Sequence, residues 1–282
     1  MKGPGPRLVT NRLGTRYLYF GKNVTSGYLF PMRVLSSEDA ASTREATLRR
    51  SIRLFCAFRH EQHDPDHFYR VMADDSVAQL QAFVGLRGAS VLDVGGGPGY
   101  FRAAFVAAGA HYVSVDSDLG EMAARGRPEP GSVLGSGMAL PIKDEAVDVC
   151  YSSNVLEHVS HPWQMAAEML RVTRPGGLVY CSFTNWLSPW GGHETSPWHY
   201  LGGHRAARRY ARVRGRQPKN VYGEGLFPVG VSEALRWARR VPNGDLVAAF
   251  PRYHPWWARW IVRIPVLREL VTWNLVLVLI RR

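Results

Sequence analysis

Short apolar runs alternate with amphipathic segments between about residues 65 and 183, and this alternation restricts the folds open to the chain. The apolar runs include "SVLDVG", "YVSVD", "VDVCYSS" and "GLVYCSF", and segments of helical period separate them. Strands connected through helices pair in parallel and bury both faces of their sheet. The sequence therefore predicts a doubly wound α/β fold.

Two further helices are predicted before the first strand of this fold. In "STREATLRRSIRLFCAF", Ser42 or Thr43 can cap a helix in which Leu48, Ile52 and Phe55 recur at helical spacing. The segment "PDHFYRVMADDSVAQLQAFV" predicts the second helix. Both are expected to precede the sheet as lead-in helices.

The length of 282 residues exceeds that of a typical domain, which indicates one large α/β domain with additions. Residues 1–40 mix Gly, Pro, basic and aromatic residues without a sustained period, so we expect a poorly ordered arm. Residues 41–282 form the domain, with a core at about 65–185, an insert at about 185–230 and C-terminal strands in 231–282.

A glycine-rich stretch follows the first predicted strand of the core. The segment "VLDVGGGPGYF" places Asp93, Gly95, Gly97 and Gly99 between that strand and a helix. Glycine permits positive φ and lets a ligand approach the bare backbone. Dinucleotide-binding loops space the last two glycines by three positions, whereas here the spacing is two. The loop therefore indicates a cofactor other than a dinucleotide.

A carboxylate at the end of the next strand, "YVSVD", supports a cofactor site. Asp116 lies about twenty residues after the loop, where its two oxygens can accept hydrogen bonds from a ribose. Asp118 is close by, and we expect it to cap the following helix instead of binding a ligand.

This loop spacing resembles motif I of class I S-adenosylmethionine (SAM)-dependent methyltransferases. The segments "GSGMALPIKDEAVDVCYSSNVLEHV" and "EMLRVTRPGGLVYCSF" are similar to the type 11 methyltransferase family, and "GGHE…PWHYL" is similar to actinobacterial members. The resemblance implies a seven-stranded Rossmann-like sheet whose last strand is antiparallel, covered by N-terminal helices and a lid insert. It also implies SAM as cofactor and methyl transfer as the reaction.

The resemblance assigns the cofactor to seven residues: Asp93, Gly95, Gly97, Asp116, Ser136, Met138 and Asn154. Ser136 departs from the family pattern, in which an acidic residue binds the adenine amino group, although a hydroxyl also accepts such a hydrogen bond. The segment "LEHV" is expected to be structural through Leu156 and Val159, with ligand contact by Glu157 or His158 as the alternative.

Candidate groups for the methyl acceptor lie in the insert "NWLSPWGGHETSPWHYLGGH". A neutral His193, or next His199, can remove a hydroxyl proton, with Glu194 orienting the ring. The alternative is that these histidines and the neighbouring tryptophans pack a lid. We assign no metal site, because the spacing of His193, Glu194 and His199 matches no established ligand pattern.

The formal net charge is +12, and the excess of basic residues gathers after position 200. Six arginines between positions 205 and 216 predict either a solvated helix face or capture of a phosphate. Trp256, Trp257 and Trp260 stand beside Arg252, Arg259 and Arg263, a composition that suits either an interfacial anchor or packing on the sheet edge. Pro265 is expected to interrupt that helix.

These observations predict O-methylation of a small-molecule, glycan or lipid-linked acceptor, with an anionic membrane surface as a further partner. Two alternatives are a nucleic-acid methyltransferase and a non-catalytic SAM-binding or membrane-associated protein. The N/D-P-P-Y/F motif that serves base amino groups is missing after the fourth strand, so nucleic acid is not the expected acceptor.

The expected location is the cytoplasm, with attachment to the inner membrane surface. The three cysteines, Cys56, Cys150 and Cys181, form no CxxC pair and suit a reducing compartment. The N-terminal residues contain no apolar stretch of signal-peptide length, and the longest apolar run, "LVLVLI", is too short to span a bilayer.

Overall fold

The structure is a computed structural model that describes residues 46–59 and 64–282, together with the backbone of two short strands near the N-terminus. These strands, β1 (Arg7–Thr10) and β2 (Arg16–Tyr19), pair antiparallel with each other. The rest of the predicted arm and the candidate caps at positions 42 and 43 lie outside the described residues. The expectation of a poorly ordered arm therefore stays a prediction.

The central sheet has seven strands in the order β5-β4-β3-β6-β7-β9-β8. All pairs are parallel except those of β9, which is antiparallel to both β7 and β8. This confirms the predicted fold class, including the antiparallel last strand. The strands are β3 (Ser90–Val94), β4 (His111–Asp116), β5 (Ser132–Leu134), β6 (Val147–Ser153), β7 (Thr173–Thr184), β8 (Gly244–Pro251) and β9 (Asn274–Arg281).

Helices cover both faces of the sheet, as its parallel strands require. Four 3-10 segments lie at Leu156–His158, His193–Thr195, Trp198–Leu201 and Trp256–Arg263. The α-helices are α1 (Leu48–Phe58), α2 (Pro65–Gln81), α3 (Arg102–Ala107), α4 (Leu119–Met122), α5 (Pro162–Val172), α6 (Gly203–Arg214), α7 (Val231–Ala238) and α8 (Leu267–Val271).

Two hydrophobic clusters form the core, one on each face of the sheet. Neighbouring strand residues point to opposite clusters, so that Leu92 and Cys150 pack with α5 and α7 whereas Val91 and Tyr151 pack with α2 and α3. This explains why the strands appear in the sequence as continuous apolar runs. The double burial leaves the strand ends as the place where polar side chains can gather.

Helix α1 begins at Leu48, and the side chain of Thr47 caps it. The helix buries Leu54 and Ala57, whereas Leu48 and Ile52 are about half exposed, at 56% and 55%. The predicted helix is therefore present, but the residues that recur at helical spacing lie on its outer face. Leu54 and Ala57 pack in the same cluster as α2.

Arg252, directly after β8, is 1% exposed. Its guanidinium donates hydrogen bonds to the hydroxyls of Ser76 and Ser153, each over 2.6 Å, and of Ser182 over 3.0 Å. The placement of Arg252 among the cations of a surface anchor is therefore wrong, because the side chain lies in the core and bridges α2, β6 and β7.

The segment Trp256–Arg263 is a 3-10 helix with two distinct faces. It buries Ala258, Ile261 and Val262, while its three tryptophans are 54%, 55% and 48% exposed. The segment ends at Arg263, and its C-cap Ile264 directly precedes Pro265, so the predicted interruption is confirmed. Within the described ranges, no helix is long and apolar enough to cross a membrane.

Candidate functional site

The glycine-rich loop joins β3 to α3, and three of its glycines have positive φ. The φ angles are +81° at Gly95, +49° at Gly97 and +82° at Gly99. A Cβ on Gly95 would lie 2.4 Å from Cγ2 of Val155, whereas a Cβ on Gly97 would meet no described heavy atom within 4 Å. Gly95 is thus needed for close packing, and the space beside Gly97 fits a ligand against the backbone.

Asp93 lies buried beneath this loop, at the end of β3. The hydroxyl of Tyr112 donates a hydrogen bond to Oδ2 of Asp93 over 2.5 Å. Burial raises the pKa of Asp93 to about 7; the hydrogen bond from Tyr112 opposes that rise, and the nearby charge of Asp116 adds to it. The carboxyl group is therefore poised to change its charge when a cationic ligand arrives.

Asp116 ends β4 beside the loop, as the sequence predicts. Its Oδ2 accepts a hydrogen bond from the backbone N–H of Gly97 over 2.9 Å, and its Oδ1 accepts one from Asp118 over 2.9 Å. Asp118 itself caps α4 by accepting from the N–H groups of Gly120 and Glu121, which confirms its expected role as a cap. Asp116 and the glycine loop thus share one site.

Ser136 and Met138 lie in the turn that follows β5. The backbone N–H of Met138 donates to Oγ of Ser136 over 3.2 Å, and the side chain of Gln164 donates to the carbonyl of Met138. The Ser136 hydroxyl keeps its own proton and a second lone pair for a ligand. The assignment of these two residues to adenine stays a prediction.

A cavity of about 450 Å³ opens at the carboxyl ends of β6 and β7. Tyr69 lines it and stacks on Tyr100 of the glycine-rich loop, with ring centroids 4.4 Å apart and an interplanar angle of 11°. The cavity therefore adjoins the cofactor loop. One wall is apolar and mostly aromatic: Leu54, Phe55, Phe58, Phe68, Tyr69, Trp190, Tyr253 and Trp273. The remaining lining residues, which we call the polar end, are Asn154, His158, Thr184, His193, Glu194, Lys219 and Asn220.

Asn154 lies between the cavity and the end of β6, with φ of +58°. Its backbone N–H donates to the carbonyl of Ser182, and its Oδ1 accepts a hydrogen bond from Nδ2 of Asn274 over 2.8 Å. These bonds fix the side chain at the cavity wall. The predicted position of Asn154, at the end of the fourth core strand, is confirmed.

His193 reaches the polar end of the cavity from the insert. Its Nδ1 lies 3.4 Å from the carbonyl oxygen of Gly191, so Nδ1 carries the donated proton and Nε2 keeps a free lone pair. Burial lowers the pKa of His193, although the negative charge of Glu157 opposes this shift. A neutral imidazole with an accepting nitrogen is what proton removal requires.

Glu194 lines the same cavity but contacts a different partner from the one predicted. Its two carboxylate oxygens accept hydrogen bonds from Nδ2 of Asn220, each over 3.3 Å. The carbonyl of Gly191, and not Glu194, holds the ring of His193. The predicted orienting role of Glu194 therefore finds no hydrogen bond in the described part of the chain.

His199 is buried inside the insert and does not line the cavity. Its Nε2 donates to the carbonyl of Ser188 over 3.2 Å, its Nδ1 lies 3.4 Å from Oγ of Ser196, and its ring packs edge-on against Trp186. Both nitrogens thus serve the internal structure of the lid. Of the two candidate bases, the structure brings His193 and not His199 to the site.

Residues of the "LEHV" segment contribute more to the site than predicted. Leu156 is fully buried, as expected, but His158 lines the cavity and packs edge-to-face against His193 with ring centroids 5.0 Å apart. Glu157 is 1% exposed and accepts a hydrogen bond from the N–H of Thr184. The sequence indicated ligand contact by Glu157 or His158 only as an alternative. No pattern in the sequence indicated that Lys219 and Asn220 line the cavity.

A larger cavity of about 790 Å³ lies between α1, α2 and the end of β8. Its lining includes Arg50, Arg252 and Arg259 but none of the residues predicted to bind the cofactor or the acceptor. The smaller cavity beside the glycine-rich loop is therefore the candidate active site.

The model of a family described as "Methyltransferase domain" matches residues 92–181, from β3 to β7. A protein of Mycobacteroides abscessus named "Uncharacterized methyltransferase" is 55% identical over 249 residues, which cover 84% of this chain and 95% of that protein. A relative with the same name from Mycobacterium marinum is 56% identical, over 84% of this chain and 96% of its own length.

The seven-stranded sheet has the fold of the class I SAM-dependent methyltransferases, and the chain belongs to the family that contains these mycobacterial methyltransferases. It is a methyltransferase, and SAM is the cofactor that its family and its glycine-rich loop indicate. A solved SAM-dependent methyltransferase from Mesorhizobium loti is similar, with a TM-score of 0.49 and 19% identity over 74% of this chain and 98% of that one.

SAM supplies a methyl group on a positively charged sulfur. The residues present fit this group: open space faces Gly97, Asp116 stands beside it, and the buried carboxyl of Asp93 lies beneath the loop. We assign SAM to the same seven residues that the sequence analysis indicates. For each of these residues, contact with SAM stays a prediction.

Proposed function

We propose that the enzyme transfers the methyl group of SAM to a hydroxyl oxygen of a small-molecule, glycan or lipid-linked acceptor bound in the 450 Å³ cavity. The observation that carries this proposal is the placement of His193, whose free Nε2 meets the polar end of a cavity that adjoins the cofactor loop. A hydroxyl needs such a group because it is a weak nucleophile while it keeps its proton.

The transfer is an in-line displacement. A lone pair of the acceptor oxygen forms a bond to the methyl carbon, the carbon–sulfur bond breaks, and its electron pair stays on sulfur to give S-adenosylhomocysteine. The hydroxyl proton passes to Nε2 of His193. The protein aligns the two reactants and excludes water, and Asn154 and Tyr69 stand where the cofactor loop meets the cavity.

The shape of the cavity supports an acceptor with two chemical parts. Its aromatic wall suits an apolar or ring-bearing body, and its polar end suits hydroxyl groups. The ammonium of Lys219 pairs with Glu121 over 2.9 Å, so this cation is engaged within the protein. A neutral hydroxyl end is therefore favoured over an anionic one.

We propose that the acceptor is reached at an anionic membrane surface. Three exposed tryptophans project from the segment Trp256–Arg263, and the exposed Ile264, Val266 and Leu270 follow it. Aromatic rings at headgroup depth together with arginines near anionic lipid are the usual elements of an interfacial anchor. The arginine-rich α6 turns its alanines inward and its arginines outward, which suits either solvent or phosphate.

Methyl transfer from labelled SAM to cell extract, measured for the wild type and for His193→Gln, tests the role of the acceptor site. We expect the variant to lose transfer by a factor of about 10²–10⁴, the usual contribution of a general base, while it binds SAM normally. His111→Gln is the matched control, because His111 is exposed at the opposite end of β4. Equal transfer by both variants would contradict the role of His193.

Sedimentation with lipid vesicles tests the membrane surface. We expect the wild type to bind vesicles of phosphatidylglycerol, and the triple variant Trp256→Ser, Trp257→Ser, Trp260→Ser to lose most of that binding. Neutral phosphatidylcholine vesicles serve as the charge control. Equal binding of wild type and triple variant to anionic vesicles would contradict the anchor.

A further inference from the structure

Three metal-ligating side chains converge at the polar end of the cavity. Glu157 and His158 come from the 3-10 turn after β6, and His193 comes from the insert. Each offers one ligand atom, and these atoms all lie within 4.8 Å of one another. Residues far apart in the sequence thus bring two imidazoles and a carboxylate to one point.

In both imidazole rings, Nδ1 donates a hydrogen bond to a backbone carbonyl oxygen. Nδ1 of His158 donates to the carbonyl of Gly225 over 2.7 Å, and Nδ1 of His193 donates to that of Gly191 over 3.4 Å. A carbonyl accepts only, so each Nδ1 carries a proton and each Nε2 is left with a lone pair. Histidines that bind metals are oriented in this way by a partner on the other nitrogen.

The carboxylate of Glu157 is only half satisfied. Its Oε1 accepts the N–H of Thr184 over 2.8 Å, whereas its Oε2 is buried with no hydrogen-bond partner in the described part of the chain. A buried carboxylate oxygen without a partner costs folding free energy unless a cation or a donor meets it.

We infer that Glu157, His158 and His193 bind a divalent transition-metal cation of the Zn²⁺ type. One possible ligand atom from each residue lies within 4.8 Å of the other two, and two histidine nitrogens with one carboxylate oxygen are the protein ligands of many catalytic zinc sites. Such sites leave a further position open. Here that position faces the proposed acceptor cavity, because His158 and His193 both line it.

This inference rests on the acceptor cavity and the methyl transfer of the proposed function, but it replaces the proposed base, because a His193 nitrogen that binds the cation cannot also accept the hydroxyl proton. A hydroxyl oxygen that coordinates the cation loses its proton more readily, since the positive charge stabilises the alkoxide. The proton then leaves to water, and Nε2 of His193 acts as a ligand instead of accepting it. The bond changes of the methyl transfer are otherwise those given above.

The experiment uses full-length protein without a histidine tag, freed of metal by a chelator and titrated with Zn²⁺ in competition with a chromogenic chelator. We expect one equivalent to bind, and Glu157→Gln or His193→Ala to weaken binding by about 100-fold or more, since even partners behind the ligands contribute 10- to 100-fold. Glu157→Gln retains an oxygen for the N–H of Thr184, so it preserves the local fold. His111→Gln should bind as the wild type does.

Co²⁺ provides an independent readout. The visible absorption of bound Co²⁺ should show nitrogen and oxygen ligands and should disappear in His193→Ala. Equal Zn²⁺ affinity of wild type and Glu157→Gln, or the absence of a bound equivalent, would overturn the inference. The titration contains neither SAM nor acceptor, so it is independent of the transfer assay. Methyl transfer without Zn²⁺ binding would refute the cation site alone. Zn²⁺ binding without methyl transfer would refute the acceptor assignment alone.

Discussion

The hydroxyl of Tyr112 donates a hydrogen bond to Oδ2 of Asp93 over 2.5 Å, directly beneath the glycine-rich loop. This contact holds a buried carboxyl group whose pKa is raised to about 7, chiefly by burial. The position lies below the loop that we assign to the cationic cofactor. The coupling between that charge and the proton on Asp93 is therefore measurable.

SAM binding is expected to depend on pH through Asp93. The positive charge of SAM favours the carboxylate, so binding below about pH 7 must release a proton from the free enzyme. The dissociation constant should rise by up to tenfold for each pH unit below about 7, as measured by calorimetry. Asp93→Asn should remove this dependence. A wild-type affinity that is independent of pH between 5.5 and 7 would contradict the placement of Asp93.

The stability of the ligand-free protein should fall as the pH rises, whereas its affinity for SAM should increase. The pKa of Asp93 is about 7 in the folded protein and 3.8 as its ordinary value, so the folded state binds the proton more tightly. The contribution of this group to the free energy of unfolding is thus present below about pH 4 and is lost as the pH rises to 7. Urea titrations of wild type and Asp93→Asn, compared at pH 4.5 and 7.5, check it. The wild type should lose more stability over this interval than the variant.

Asp116→Ala should weaken SAM binding, because Asp116 is assigned to the ribose hydroxyls. Loss of two hydrogen bonds to a charged acceptor corresponds to about 3 kcal/mol, or roughly a hundredfold in the dissociation constant. Asp118→Ala is the matched control, since its carboxylate caps α4. Calorimetry should show a large loss for the first variant and a small one for the second. Equal losses would show that the carboxylate of Asp116 has no special role.

Alanine substitutions in the loop should separate packing from ligand binding. Gly95→Ala places a methyl 2.4 Å from Val155 and adds positive-φ strain, so we expect it to destabilise the fold by about 2–4 kcal/mol. Gly97→Ala meets no described atom within 4 Å, so about 1 kcal/mol of strain is expected. Thermal unfolding should rank the two accordingly. A reversed order would contradict the loop geometry.

Arg252→Ala should lower the free energy of unfolding by about 3–5 kcal/mol. The substitution removes a buried guanidinium that bridges three serine hydroxyls and leaves a cavity between α2 and the sheet. Arg263→Ala, on the exposed part of the following segment, should change it by less than about 0.5 kcal/mol. Urea denaturation measures both. Similar values would contradict the burial of Arg252.

The fold, and the positions in it of the residues assigned to the cofactor, could be predicted because their signals are local. The central strands contain apolar runs, and Asp93, Asp116 and Asn154 each lie within one residue of the carboxyl end of a core strand. The carboxyl ends of parallel strands meet at one edge, so short patterns placed these residues together. The antiparallel return of β9 followed from the family resemblance.

The remainder depends on contacts between distant segments. Arg252 is a core residue because serines of α2, β6 and β7 meet it, and no local pattern shows this. His158 contacts His193 because of the path of the insert, which also directs His199 inward. The composition near Trp256 predicted the exposed tryptophans, but it could not separate the exposed Arg263 from the half-buried Arg259 and the buried Arg252.

The most direct test is the identity of the methylated atom. The enzyme would be incubated with ¹³C-methyl SAM and separate lipid and aqueous extracts of the producing cell, and the carbon shift of the labelled product would be measured. We predict a methyl ether on oxygen, its formation being lost in His193→Gln and unchanged in His111→Gln. A label on nitrogen or carbon, or equal labelling by the His193 variant, would contradict the account.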